Sequence, residues 1–438
     1  MSRSRATVSS GPAMATKKLR RQAYEVFLDA AELGPIRKVG TLHRHEVRTD
    51  IAASFEYDDA WLQDGQAFLL DPTLQLWAGE QHPSGSAVAF GIFMDSAPDR
   101  WGRVLMERRE AAAAEREKRP IKALQEMDFM LGVNDLTRIG ALRMRAVPAG
   151  DEATPFLDNA SPAAPPVTSL RELAHVSARL EAPGVEAMKD YERWLAMLIA
   201  PGTSLGGARP KASFVDADGT LSIAKFPSRE DRYDWGGWEL LVHRLAADAG
   251  VRVPSSRSEK LTDRYSTFCV SRFDRDAGSR RMYASAMTLL ERHDGQVPPA
   301  SYIDLAQFIS DHGPQGGVES DLEQLFRRAV FNVRVGNRDD HLRNHGFIRE
   351  SSGWRLSPAF DMNPSPTKSE HALTLDGVHT TSELRYVLAT ADLYRLDKAN
   401  AARVVNEVDS AVTRWRDEAD NLGLPMTEVR LMSAVFSG

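Results

Sequence analysis

Asp339 and Asn344 close the run Asp339-Asp340-His341-Leu342-Arg343-Asn344, and a third oxygen-bearing side chain follows in Phe360-Asp361-Met362. This is the D-x-x-x-x-N spacing of a kinase catalytic loop, with a downstream acid in the role of the D-F-G Asp. A hydroxyl attacking the terminal phosphate of ATP needs an acceptor for its proton, and Asp339 offers one at the head of the loop. The amide oxygen of Asn344 and the carboxylate of Asp361 are hard ligands of the kind Mg2+ takes in small number from protein. The reading is phosphoryl transfer, with Asp339 as base and Asn344 and Asp361 on the metal.

Those groups need elements to deliver them. Leu322, Leu325, Phe326, Ala329, Val330 and Val333 make a helical stripe over Asp321 to Val335, which packs into a core and presents the loop at its C-terminal end, with Gly336 as terminator. Gly346-Phe347-Ile348-Arg349 and Trp354-Arg355-Leu356 then flank the turn Glu350-Ser351-Ser352-Gly353, a hairpin that returns Asp361 toward Asn344.

Upstream lies Thr203-Ser204-Leu205-Gly206-Gly207-Ala208-Arg209-Pro210-Lys211. Paired glycines let backbone N–H groups approach phosphate oxygens, and Arg209 and Lys211 add positive charge. The run matches neither the P-loop nor the kinase glycine loop, so on spacing alone it reads first as a turn and second as a phosphate cover. Thr220 to Phe226 alternates as a strand with Leu221, Ile223 and Lys225 on one face. Lys225 either neutralises ATP phosphates or reaches solvent from the strand end. A helix over Trp235 to Ala249 buries Trp238, Leu241, Val242 and Leu245; its Glu239 reads first as a surface charge and second as the partner of Lys225. Thr267 to Arg275 is an apolar strand ending in charge, and Ser271, Arg272 and Phe273 stand where a kinase hinge binds adenine.

Taken in order, Ser204 to Lys211, Ala224-Lys225-Phe226-Pro227, Ser271 to Arg275, Gly336 to Asn344 and Ser357 to Asp361 resemble the HipA-like serine/threonine kinases, toxins of bacterial toxin-antitoxin pairs. The resemblance covers about residues 200 to 365 and is weaker on either side. It implies an α+β, bilobal protein-kinase-like fold with a mainly helical C-lobe and an appended N-terminal subdomain. It also implies that Asp339 is the base and that Asn344 and Asp361 hold Mg2+. Lys225, Gly206, Gly207, Ala208, Arg209, Lys211, His341 and the Ser271, Arg272 and Phe273 hinge would contact ATP. Ser204 would match the family's autophosphorylated serine, with Thr203 an adjacent candidate; a phosphate there adds about two negative charges where those of ATP must sit. The chain departs from some relatives at Arg209-Pro210, where a Gln-Glu pair occurs. Partners implied are a helix-turn-helix, HipB-like antitoxin, DNA through that antitoxin only, and a protein substrate such as an aminoacyl-tRNA synthetase.

With 438 residues, the chain is long enough for two or three domains. It reads as a basic flexible tail over 1–22, an N-terminal subdomain over 23–146, a Pro/Ala-rich linker or excursion over 147–168, a kinase N-lobe over 169–273 and a helical C-lobe over 274–438. In the N-terminal part, Ala53 to Tyr57 and Gln66 to Leu70 read as strands before a helix near Asp99 to Lys118, with Asp95 or Ser96 as its cap and no chemistry assigned. Lys398 to Asp420 reads as one helix with Ala401, Val404, Val405, Val408, Ala411, Val412, Trp415 and Ala419 on its buried face. The formal charge is −6, and the first 22 residues hold six cations and no acid, so the remainder is more acidic still and a poor solitary DNA binder. No apolar run reaches transmembrane length and no signal peptide is visible, so no membrane role is expected; the single Cys269 suits a reducing cytoplasm.

Two other readings stay open. One is a catalytically inactive, kinase-shaped module that binds the antitoxin. The other is a metallophosphoesterase using His341 and His345, four apart, beside Gly336-Asn337-Arg338-Asp339.

Overall fold

The computed structural model describes residues 20–47, 50–85, 87–147, 154–157, 164–199, 209–293 and 295–436. Its first strands, β1 (Arg20–Leu28), β2 (Arg37–Val47), β3 (Asp50–Tyr57), β4 (Glu80–Gln81) and β5 (Leu142–Ala146), form an antiparallel sheet in the order β4-β3-β2-β1-β5. Period-2 alternation explains its buried face: Val26 pairs with Met144 and Leu42 with Phe55, all four buried. Arg21 and Gln22, expected in the tail, are strand residues, and Arg21 bonds Glu80 at 3.1 Å. Gln66 to Leu70 is not a strand. The Asp64 carboxylate takes the Gln66 N–H at 2.9 Å in an Asx-type turn, and Asp71-Pro72 follows at once, leaving no run of backbone to pair. The helix Arg100–Glu117 falls where expected, but its cap is Asp99, which accepts from Gly102 N–H at 2.8 Å, rather than Asp95 or Ser96.

Within the 147–168 excursion, the described residues are fastened to the sheets on either side. Phe156 lies under the Arg143 guanidinium at 3.7 Å, Leu157 N–H donates to Met144, and Val215 N–H donates to Pro165. The second sheet contains β6 (Lys211–Val215), β7 (Leu221–Lys225), β8 (Ser256–Glu259) and β9 (Thr267–Ser271), antiparallel in the order β6-β7-β9-β8. Ala212, Phe214, Ala224 and Cys269 pack on the helices Leu170–Leu180 and Tyr191–Ile199. The helix Trp235–Asp248 covers β8 and β9 on the other side and buries Trp238, Leu241, Val242 and Leu245, as its period requires.

Beyond Ser271 a two-residue pair, β10 (Arg275–Asp276) with β11 (Ser279–Arg280), leads into a three-stranded sheet of β12 (Met282–Ser285), β13 (Gly346–Glu350) and β14 (Gly353–Leu356). The expected hairpin is β13-β14, and β12 is an added edge that the sequence reading left unassigned. The rest is helical, centred on Val318–Val335, whose six predicted apolar positions are all buried and which begins three residues before the predicted start. The expected single helix from Lys398 is two, Lys398–Val412 and Trp415–Asn421, broken at Thr413-Arg414. Its apolar face is buried as read, except that Val405 is only half-buried.

Candidate active site

A cleft of about 510 Å³ opens between the β6-β7-β9-β8 sheet, the β12 region and the N-terminal subdomain. Ile139, Ile223, Phe268, Val270 and Phe273 make it largely apolar, a surface suited to a flat ring. Lys225, Glu239 and Asp361 are among its polar lining residues, and the strand register shows why a cation stands there. Lys211 and Lys225 are direct cross-strand partners on β6 and β7, so two ammonium groups leave the sheet on one face. Neighbouring like charges away from water need anions. Lys225 donates to Glu239 at 2.6 Å and to Asp361 at 2.7 Å, while Lys211 donates to Asp99 at 2.5 Å in an almost fully buried pair.

Glu239, read first as a surface charge, is therefore corrected: it is 5% exposed and faces Lys225 from the first turns of its helix. Burial works against the Lys225 charge, yet Asp361 and Glu239 together hold its pKa above the ordinary lysine value. Burial also pushes Asp361 up, but Lys225 outweighs it, with Lys211 and His341 adding to the pull, and brings the carboxyl down to about 2. Glu239 is raised by burial and by Asp361 against the pull of Lys225, so it is the weakest charge of the three. Asp361 sits at φ +55°, a left-handed backbone that a non-glycine residue adopts at some cost, and Phe360 before it packs on Phe273 at 5.2 Å.

The loop that follows Val318–Val335 is held from within. Gly336 caps the helix at φ +61°. Asn337 N–H returns to Asn332 at 2.9 Å, and the Asn344 side-chain amide donates to the Asp339 carbonyl at 2.8 Å. With its nitrogen so used, Asn344 has its oxygen left to offer a cation. Adjacent acids divide the labour. Asp340 is buried and accepts from Tyr302 at 2.7 Å, His371 at 2.8 Å and Ala372 N–H at 2.9 Å, whereas the Asp339 carboxylate is half-exposed and ion-paired with Lys368. Of the two, only Asp339 has a carboxylate open to solvent.

Other predicted residues have mixed surroundings. Arg209 makes a two-pronged contact with Asp231 at 2.5 and 2.6 Å and lies over Trp235. Arg272 is buried, paired with Asp274 and donating to the Thr137 carbonyl at 2.6 Å, so its side chain braces the N-terminal subdomain; its backbone and Ser271 border the cleft. His341 precedes the short 3-10 turn Leu342–Asn344, and its Nδ1 is buried without a partner. Thr203, Ser204, Gly206, Gly207 and Ala208 lie outside the described residues. Sequence reasoning missed Asp99, Lys368 and the role of Asp340; no periodicity marks the first two, while the Asp339-Asp340 doublet itself signalled that two acids would have separate duties.

The donor set suits the implied nucleotide and metal. Asn344 and Asp361 carry hard oxygens of the kind Mg2+ takes from protein, Lys225 carries the charge a phosphate needs, and the cleft walls are apolar enough for a base. His341 and His345, considered above as a metal pair, flank a single 3-10 turn instead of sharing a helix face, and His345 is buried with burial lowering its pKa to about 4. Among the described residues no three His, Cys, Asp or Glu side chains gather as a metal site.

Comparison with known proteins agrees with this fold. Residues 33–129 match the HipA N-terminal domain family and residues 203–415 the HipA-like C-terminal domain family. A Haemophilus influenzae protein described as "Putative kinase" is 28% identical over 36% of this chain and 52% of its own length. The serine/threonine-protein kinase toxin HipA of Shewanella oneidensis is 24% identical over 45% of this chain and 50% of its own. The chain thus spans about half the length of these curated relatives. A solved Shewanella oneidensis HipA, from a complex with HipB and operator DNA, superposes with a TM-score of 0.61 at 19% identity over 94% of this chain and 95% of that one. The fold is accordingly α+β, bilobal and protein-kinase-like. Matches to both HipA domain families, in order along one chain and on a shared fold, make this protein a member of the HipA-like kinase family.

Proposed function

We propose that this protein is an ATP-dependent protein serine/threonine kinase, the cytoplasmic toxin of a toxin-antitoxin pair. The observation that carries this reading is the Lys225–Glu239–Asp361 ion-pair cluster lining a largely apolar cleft, with Arg343 of the Asp339–Asn344 loop also at its wall. A nucleotide base fits the apolar walls with the Ser271–Phe273 backbone alongside, and Lys225 turns from Asp361 toward phosphate oxygens. Asn344 and Asp361 would hold Mg2+, which when bound would neutralise phosphate charge. Asp339 takes the proton of the attacking hydroxyl. His341, Arg209, Lys211 and the Gly206–Ala208 stretch complete the nucleotide contacts in this reading.

The Shewanella relative was solved with HipB and operator DNA, and a helix-turn-helix antitoxin of that kind is the partner proposed here, with DNA reached through it. The substrate is a protein of the translation or growth machinery, such as an aminoacyl-tRNA synthetase. Autophosphorylation at Ser204 or Thr203 places about two negative charges at the phosphate site and turns the enzyme off. The test is incubation of the full chain with γ-labelled ATP and Mg2+. Label is expected on the peptide holding Thr203 and Ser204, lowered by about 10²-fold or more in Asp339→Asn and in Asp361→Ala. An unlabelled wild type, or variants labelled as fast as it, sinks the proposal.

A further inference from the structure

Lys368 sits seven residues past Asp361 in a segment without helix or strand, yet its ammonium is fixed on the carboxylate of Asp339. Both side chains are about half exposed, at 50% and 51%, and a pair so open to water holds its geometry only where the backbone has been placed for it. Here it has been. Arg338, immediately before Asp339, donates to the carbonyls of Ser365 at 3.0 Å and Lys368 at 2.7 Å. Ser365 N–H donates to Gly336 at 2.9 Å. Asp340, immediately after Asp339, takes His371 and Ala372 N–H. The residues on either side of the base therefore grip the chain on either side of Lys368. Lys225 is engaged by Glu239 and Asp361, Lys211 by Asp99, and Arg209 by Asp231.

We propose that Lys368 is a positioning residue for phosphoryl transfer. This rests on the kinase reading above and extends it to a residue outside the catalytic loop. Lys368 holds one oxygen of Asp339, so that the other faces the incoming hydroxyl, and keeps a positive charge beside the point where phosphate charge moves. In the step it serves, the hydroxyl oxygen bonds to the γ-phosphorus and its proton passes to Asp339. The bond from that phosphorus to the bridging oxygen breaks, and its electron pair leaves with ADP. Lys368 remains protonated throughout and forms no covalent bond.

The experiment measures, on the full chain, the rate of self-labelling from γ-labelled ATP at saturation, the ATP concentration for half-maximal rate, and binding of a fluorescent ATP analogue. Lys368→Ala is expected to lower the saturating rate about 10- to 100-fold, at or below the usual loss for one transition-state charge contact. Half-saturation and analogue binding should change less than about twofold, because the residue acts on the base and not on nucleotide affinity. Lys368→Arg should recover most of the rate, and the double variant Asp339→Asn/Lys368→Ala should be no slower than Asp339→Asn alone. A Lys368→Ala rate within twofold of wild type, an Arg variant as slow as Ala, or additive losses in the double variant would each overturn the proposal. Absence of label in the wild type instead overturns the kinase reading itself.

Discussion

At the scale of single residues, the site is a problem of two cations side by side, Lys211 buried and Lys225 partly so, and the acids that answer them. Lys225 serves Glu239 and Asp361 at once, so the three carry one net negative charge. Removing the lysine leaves two carboxylates without the cation they share, with only more distant positive charge such as Lys211 near Asp361, whereas removing Glu239 leaves an intact pair. Lys225→Met is therefore expected to lose about 3–5 kcal/mol of stability at neutral pH. Its acids would then have folded pKa values above their unfolded ones, a shift whose stabilisation is present at low pH and lost as pH rises. Urea midpoints for this variant should climb from pH 7.5 to 5. In the wild type Asp361, held down to about 2, contributes stability above its ordinary value that is lost only in more acid solution. Glu239→Gln should cost no more than about 1–2 kcal/mol while lowering the turnover on ATP. A Lys225→Met variant whose midpoint falls on acidification, or a Glu239→Gln variant as unstable as it, would show that the cluster is wired differently.

At the scale of elements, the Val318–Val335 helix must stop at one residue to aim the loop, and Gly336 does this at φ +61° with its hydrogen directed at Val435. A Cβ there would stand 2.2 Å from Val435 Cγ1, in a backbone conformation that costs a non-glycine residue about 1–2 kcal/mol. Gly336→Ala should thus lose about 2–4 kcal/mol and shift Asn337 and Asp339 with it, lowering labelling. Gly219→Ala, also at positive φ (+84°) but with open space around it, should lose only the backbone part and label normally. Equal thermal midpoints for the two would contradict this. The same helix shows what was legible in the sequence. Its stripe and terminator are local properties, as are the β13-β14 turn and the face of Trp235–Asp248, so periodicity finds them. Gln66 to Leu70 misled because five residues with apolar character read as a strand although side-chain oxygens of Asp64 and the Asp71-Pro72 step leave it no partner. The break at Thr413-Arg414 escaped for the opposite reason: the buried face continues through it, from Val412 to Trp415, and no proline or glycine marks the change.

At the scale of the molecule, the cleft is closed by contacts that no local pattern announces, since their partners lie more than a hundred residues apart. Lys211 meets Asp99 and Arg272 meets Thr137 across such separations, and Glu239 was misread because its partner Lys225 turns it inward through tertiary packing. Asp95 is the clearest case. It joins the N-terminal subdomain to the C-lobe, accepting from Ser285 N–H at 2.7 Å, Ser285 Oγ at 2.6 Å and Thr288 Oγ1 at 2.9 Å. Burial raises its pKa to about 6 in spite of those donors. A carboxyl raised on folding binds its proton more tightly in the folded state. Its stabilisation is complete below the unfolded value near 3.8 and is lost as pH rises through about 6. Between pH 7 and pH 5 this one group should add about 1 kcal/mol to stability. Asp95→Asn can keep the geometry, with its oxygen toward Ser285 N–H and its amide toward two hydroxyls that rotate to accept, but it cannot titrate. The difference in unfolding free energy between wild type and Asp95→Asn should therefore move in favour of the wild type by about 1 kcal/mol on going from pH 7 to pH 5, and parallel stability curves would show that the junction is not governed by this proton.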